Sequence, residues 1–236
     1  MIQAIRYVLV TVWFTAWYGA RILLAAAAGI PQVPGGLFDQ LQRGYGAAMM
    51  RGMGIELRVE GAEQLLAGEP VVFVSNHLSW VDIWVLLVGL PGVRFVFKKE
   101  ISRVPLLGAA AHVTGHIELD RASRTSAFAA YDRAAGRVRQ GTSALVFAEG
   151  TRSRTGRLLP FKKGPFVLAI AAQVPVVPVV CVGTYELMPP GRFAPTSGRV
   201  VVRIGRPIVT AGLSYEARDE VADRARRTML DLGAVE

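Results

Sequence analysis

His77 and Asp82 are the two residues of this chain best suited by type and spacing to move a proton. On one continuous helix, five residues at about 100° each would set them roughly 140° apart, on different faces. They can meet only if His77 lies in the turn before a helix. The surrounding stretch, VVFVSNHLSWVD, has that form. Val71 to Val74 reads as a buried strand, Ser75, Asn76 and His77 fall where it must turn, and WVDIWVLLVGL reads as a helix ended at Gly89 and Pro91. Ser79 is suited to the N-cap, which would put Asp82 at N3, pointing back toward the turn. A carboxylate there can accept the Nδ1 proton of the imidazole and leave Nε2 as a base toward a hydroxyl. The plainer alternative is that Asp82 only caps the helix and His77 is a polar turn residue. No serine or cysteine has an elbow motif around it, so chemistry on a substrate hydroxyl is the economical active reading.

A second strand end carries charge. Ala144 to Ala148 is an apolar run followed at once by EGTRSRTG. Glycines, hydroxyls and two arginines at a strand end can cradle an anion, with Arg152 able to hold two phosphate oxygens. A solvated basic turn is the alternative. Cys181 is the only cysteine and sits in an apolar run, so it reads as a small buried hydrophobe. His77, His112 and His116 form no H-E-x-x-H zinc motif, and no metal is expected.

Composition narrows the partner. The 236 residues are 52% hydrophobic, and 27 Lys and Arg against 18 Asp and Glu give a net charge of +9. Mean hydropathy is +0.36 and the pI is near 10.3, a balance that favours an anionic partner. Aromatics are not interleaved with the basic residues as on nucleic-acid platforms, so no nucleic acid is expected; membrane lipids are.

Tyr7 to Ile30 is almost continuously apolar and long enough to cross a bilayer. Arg21 inside it, the grouping of Trp13, Trp17 and Tyr18, and an interruption at Gly19 favour a helix lying in the interface. With only Arg6 before a long apolar region, it does not read as a secretory signal. Leu37 to Met53 is amphipathic, and the pair would form a membrane-associated hairpin joined through Pro31 to Gly36. This divides the chain into residues 1–53 and 54–236. Further strands are expected at Ile55 to Glu60, Val93 to Phe97, His116 to Leu119, Val176 to Val182 and Arg199 to Ile204. Pro175 and Pro178 argue that the strand at 176–182 is an edge or contains a bulge. Helices are expected over Ser123 to Gln140, Pro165 to Gln173 and Tyr215 to Leu232. The fold class is α/β: a mixed, largely parallel sheet flanked by helices, with the N-terminal hairpin added.

NHLSWVD resembles the first motif of the glycerolipid acyltransferases, N-H-x-S-x-x-D, and FAEGTRSRTG resembles their third. KKEISRVPLLG with GHIELDR resembles the second, and VPVVPVV the fourth. The order and coverage are similar to the bacterial 1-acyl-sn-glycerol-3-phosphate acyltransferases of that family, which make phosphatidic acid. The resemblance implies that His77 is the general base and Asp82 its orienter. It implies that Lys98 or Lys99, Arg121 and Arg152 bind the phosphate of lysophosphatidic acid, with Glu149, Gly150 and Thr151 shaping the loop. The acyl donor would be acyl-CoA or acyl carrier protein, no other cofactor would be needed, and the enzyme would work at the cytoplasmic face of the inner membrane.

Glu118 departs from the family pattern, which has an aromatic or aliphatic residue there. A carboxylate beside a phosphate site is unfavourable unless it points away or pairs with Arg121 or Arg124. Another lysolipid acceptor, such as a lyso-ornithine lipid, is therefore the alternative within the class. A catalytically silent membrane lipid carrier is the alternative outside it.

Overall fold

The computed structural model describes residues 1–65, 68–119 and 124–236, with the side chains of 124–129 left aside. In chain order the elements are α1 (Ile2–Ala27), α2 (Leu37–Met53), β1 (Ile55–Glu60), β2 (Val72–Ser75), α3 (Val81–Gly89), β3 (Arg94–Lys98), α4 (Leu107–Val113), β4 (Ile117–Leu119), α5 (Arg124–Arg139), β5 (Ala144–Phe147), α6 (Gly164–Ala172), β6 (Val176–Val182), α7 (Thr184–Leu187), β7 (Gly198–Ile204) and α8 (Arg218–Asp231). The strands form one sheet in the order β1-β7-β6-β2-β5-β3-β4, parallel except where β6 meets β7.

The expected mixed, largely parallel α/β sheet is therefore present, and its layers follow from the strand sequences. β2 is buried on both faces, as its uninterrupted apolar run requires. Phe73 points into a core shared with α2 and α3, while Val72 and Val74 point into one shared with α5, α6 and α8. Such sheets display their reactive groups at the carboxyl ends of the central strands. Here those are β2 and β5, which pair in register with Ser75 opposite Phe147.

Two local expectations change. β6 is internal, lying between β7 and β2. Pro178 is tolerated because the ladder with β7 starts one residue later, at Val179 opposite Ile204, and Gly205 donates to the Pro178 carbonyl instead. The interruption read from the prolines is real, but it does not make an edge. Gly19, expected to interrupt the first helix, lies inside a continuous α1. A Cβ there would come 2.6 Å from Leu106 Cγ, so glycine allows the Leu106 side chain to lie against the helix. Leu106 itself has φ +64, a costly conformation for leucine that this packing has to sustain.

The hairpin is tied to the sheet by apolar and ionic contacts. Met49, Met50 and Met53 of α2 enter the core beneath β2 and α3, and Phe38 and Leu41 meet Ile22, Ala25 and Ala110. A Cβ on Gly46 would lie 2.8 Å from the Trp84 carbonyl, so α2 and α3 touch backbone to backbone. Asp39 pairs with Arg94 of β3 at 2.6 Å, their side chains 9% and 7% exposed. The remaining face of α1 carries exposed Ile5, Val8, Leu9, Val12, Trp13 and Trp17. Among the described residues α1 is the one helix long and apolar enough, by length and composition, to cross a membrane.

Asp39→Ala would leave the Arg94 guanidinium buried without its counter-ion. The expected loss is about 3–5 kcal/mol, read from chemical or thermal unfolding of the purified protein. Wild-type stability in that variant would mean that Arg94 is satisfied by the carbonyls of Gly92 and Val93, to which it also donates.

Candidate active site

Helix α3 begins at Val81, with Trp80 in the N-cap position, one residue later than the sequence suggested. The capping bonds nevertheless belong to Ser79 and Asp82. Ser79 Oγ accepts from the Val81 N–H, and Asp82 Oδ2 accepts from the N–H groups of Leu78 (2.7 Å) and Ser79 (2.8 Å). The same oxygen lies 2.9 Å from His77 Nδ1. The helix-capping reading and the dyad reading are thus one arrangement: the carboxylate that closes the first turn also meets the imidazole. Asp82 is fully buried and the His77 side chain is 15% exposed. With Nδ1 donating to the carboxylate, Nε2 carries the lone pair.

The imidazole plane is set from below. Phe147, at the end of β5, stacks on His77 with centroids 3.8 Å apart and planes 10° from parallel. The backbone of His77 is clamped by the loop after β5: its N–H donates to Glu149 Oε1 at 2.8 Å, and its carbonyl accepts from the Ser153 N–H at 2.8 Å. One residue earlier, Asn76 holds the end of β2 to β6, donating to the Cys181 carbonyl and accepting from its N–H. Asn76, Phe147 and Ser153 escaped sequence reasoning. Phe147 could be assigned only from the strand register, whereas Asn76 had one available signal, a buried-type strand ending in an amide beside a histidine.

Glu149 is 2% exposed and turned inward, its second oxygen accepting from the Leu159 N–H at 2.9 Å. It joins two loops and does not line the cavity described below. Burial pushes its carboxyl up to about 7, against the pull of the two backbone donors; the nearby Asp82 charge also raises it. Gly150, at φ +70, makes the tight turn after it, its N–H returning to the Phe147 carbonyl.

His77 opens onto a cavity of about 460 Å³. Its walls come from α1 and α2 (Ile22, Tyr45), α3 (Ile83, Leu87), β3 (Phe95, Phe97) and α4 (Ala110, Ala111), and are mostly apolar. Lys98, Gly150, Thr151 and Arg152 share this lining with His77. Lys99 starts the short 3-10 turn Lys99–Arg103 and is not part of the wall. Arg121 lies outside the described residues, as does Arg124's side chain. Glu118 sits between buried Ile117 and Leu119, as strand alternation required. It accepts from Ser102 Oγ and pairs with His112 at 3.2 Å, away from the cavity lining. His116 does line it, with Nδ1 accepting from the Phe95 N–H, and burial followed by the Arg94 charge pushes its pKa down to about 3. Cys181, raised by burial, is an inert packing residue. Among the described residues no cluster of acidic, histidine and cysteine side chains could hold a metal ion.

The fold and site define an α/β protein that presents a His–Asp pair at a strand edge over an apolar cavity. Comparison with known proteins carries this further. A sequence model of the acyltransferase family matches residues 56–182. The 1-acyl-sn-glycerol-3-phosphate acyltransferase of Saccharomyces cerevisiae is 38% identical over 183 residues, 76% of this chain and 60% of that protein. Its counterpart in Limnanthes douglasii is 31% identical over 93% of this chain and 74% of its own. The crystal structure of the 1-acyl-sn-glycerophosphate acyltransferase PlsC from Thermotoga maritima superposes with a TM-score of 0.79 at 26% identity, covering 100% of this chain and 96% of that one. The chain belongs to the acyltransferase family. Its match spans about 60% of the yeast relative's length.

Glu149 yields a pH prediction. Its folded-state value near 7 lies above the ordinary carboxylate value of 4.5, so the folded state holds the extra proton between those values. Its contribution to stability therefore falls as pH rises through that window. Acidifying from pH 8 to 6 should raise wild-type stability relative to Glu149→Gln by roughly 1 kcal/mol, measured as the difference in unfolding between the two proteins at each pH. Turnover should move the opposite way, because the ionised carboxylate accepts more strongly than the protonated one from both His77 and Leu159; a glutamine amide must oppose one of those N–H groups. Identical pH trends in both proteins would remove Glu149 from the account.

Proposed function

We propose that this chain transfers a fatty acyl group from an acyl thioester to the sn-2 hydroxyl of lysophosphatidic acid, forming phosphatidic acid. The observation that carries the reading is the His77–Asp82 pair, 2.9 Å apart, opening on an apolar cavity whose lining also includes Lys98 and Arg152. The names of the relatives support the acceptor. His77 Nε2 takes the proton of the acceptor hydroxyl as its oxygen attacks the thioester carbonyl. The tetrahedral intermediate collapses with cleavage of the carbon–sulfur bond, and the imidazolium returns its proton to the departing thiolate. Asp82 keeps the ring in the productive tautomer and stabilises it when charged. Arg152 and Lys98, with Arg121 on the family resemblance, bind the phosphate and so fix the hydroxyl against His77. Glu149 takes the role of a strut beneath that loop, with Gly150 and Thr151 forming its surface.

The cavity walls suit an acyl chain, and each buried methylene adds about 0.8 kcal/mol of binding. No cofactor is required beyond the carrier of the acyl group, acyl-CoA or acyl carrier protein. The exposed apolar face of α1 and the net charge of +9 fit a protein resting on an anionic bilayer, at the cytoplasmic face of the inner membrane. In that setting residues 1–53 are the membrane-associated part and 54–236 the acyltransferase domain. The case for a lyso-ornithine acceptor rested on Glu118, and a Glu118 engaged by His112 and Ser102 leaves the phosphate reading unopposed.

The reading is tested by offering purified protein one labelled acyl thioester with lysophosphatidic acid and lyso-ornithine lipid side by side. Labelled phosphatidic acid should dominate; preferential labelling of the ornithine lipid would overturn the acceptor assignment. His77→Ala should lower turnover by about 10²–10⁴-fold without loss of folding or vesicle binding. Retained turnover would sink the base assignment. Arg152→Ala should raise the KM for lysophosphatidic acid well beyond that for the thioester, and equal effects on both would count against a phosphate ligand.

A further inference from the structure

Trp80 is a large apolar residue left outside the core at the centre of the site. It is 42% exposed, while its neighbours Ser79 and Val81 are fully buried. Its backbone has little freedom. Ser79 donates its hydroxyl to the Met188 carbonyl at 2.8 Å and its N–H to Asp82, and Val81 donates its N–H to Ser79. The turn that carries the His–Asp pair therefore also fixes where the indole emerges. It emerges beneath Arg152, whose Cζ lies 4.9 Å from the ring centroid, and both residues line the cavity beside His77.

We infer that Trp80 is a positioning residue, the platform that holds the Arg152 guanidinium ready for the acceptor's phosphate. This rests on the reading of Arg152 as a phosphate ligand. The face of an indole attracts a guanidinium through its quadrupole, and indole is the best of the aromatic rings for this. A guanidinium held over a ring by this attraction spends none of its N–H donors on the ring's behalf, and those donors match two phosphate oxygens. The choice of partner matters. A carboxylate could hold Arg152 as firmly, but it would compete with the phosphate for the same donors and cancel the charge that attracts it. An indole orients the group and leaves both intact. Lysine at 152 could not use the platform in the same way, because its charge is a point on a flexible stem. The link from Ser153 N–H to the His77 carbonyl holds the two loops in register. The group that fixes the phosphate and the group that takes the proton are thus set by the same turn.

The test is steady-state acyl transfer to lysophosphatidic acid by Trp80→Phe, Trp80→Leu and Trp80→Ala, each with Arg152 intact and with Arg152→Ala. With Arg152 present, Trp80→Ala should raise the acceptor KM about 3–30-fold, with the donor KM and kcat changed less than twofold. Trp80→Phe should keep most of the wild-type affinity. Trp80→Leu, also bulky and apolar, should behave like Trp80→Ala, so folding and bulk are not what separates the two. On the Arg152→Ala background none of the Trp80 changes should raise KM further. The platform is overturned if leucine serves as well as phenylalanine, or if the Trp80 and Arg152 effects simply add. It is equally overturned if vesicle binding falls as KM rises, which would make Trp80 a membrane anchor. An Arg152→Ala protein with unchanged acceptor KM would reject the phosphate reading itself, whereas a raised KM there with no effect of Trp80→Ala would reject the platform alone.

Discussion

One carboxylate oxygen organises the site. Asp82 Oδ2 accepts from the backbone at Leu78 and Ser79 and meets His77 Nδ1, three donors within 2.7–2.9 Å. A fully buried carboxylate is tolerated when donors meet it, and here all three meet the one oxygen. The tight turn between β2 and α3 supplies them, and the imidazole is one of the three. Removing any of the three would alter the turn and the ring together. This is why the acid stands five residues after the histidine, a spacing that a continuous helix could not use.

A second constraint acts between loops. His77 is held at its N–H by Glu149 and at its carbonyl by Ser153, and Asn76 is held to β6 through Cys181. Three adjacent strands thus converge on two consecutive residues. Glu149 does so at the cost of burial, which raises its pKa into the neutral range. A carboxyl stands where an apolar side chain would pack more cheaply, because its two oxygens accept from two backbone donors at once. On the proposed reading, acyl transfer depends on a geometry that the buried acid maintains without touching substrate.

The cavity shows the same division between site and support. Its apolar walls join the sheet to the helical hairpin, so the N-terminal residues complete the chamber into which His77 opens. Gly19 and Gly46 let the helices approach closely, and the Asp39–Arg94 pair fastens α2 to β3. The lysine and arginine side chains in its lining are Lys98 and Arg152. A lysolipid acceptor has the same distribution, a long apolar part and a compact anionic head.

The sequence by itself determined the fold class and the strand and turn around His77, offered the pairing of His77 with Asp82, and carried the resemblance to the family. The fold class, the turn and the pairing rest on local information, namely hydrophobic period, cap chemistry and residue spacing, whereas the family rests on the resemblance of four motifs spread from Asn76 to Val180. Even the interruption near Pro178 was legible, since a missing N–H is a local fact. Its consequence was not, because whether a strand lies at an edge depends on what the rest of the chain pairs with it. The same limit applies to Phe147 beneath the imidazole, Glu149 turned inward, Trp80 under Arg152 and Glu118 held by His112 and Ser102. Apart from the last pair, which joins neighbouring elements, these contacts cross about 70 residues of sequence. Only the register of β2 against β5 brings the two loops face to face, and register is a property of the assembled sheet.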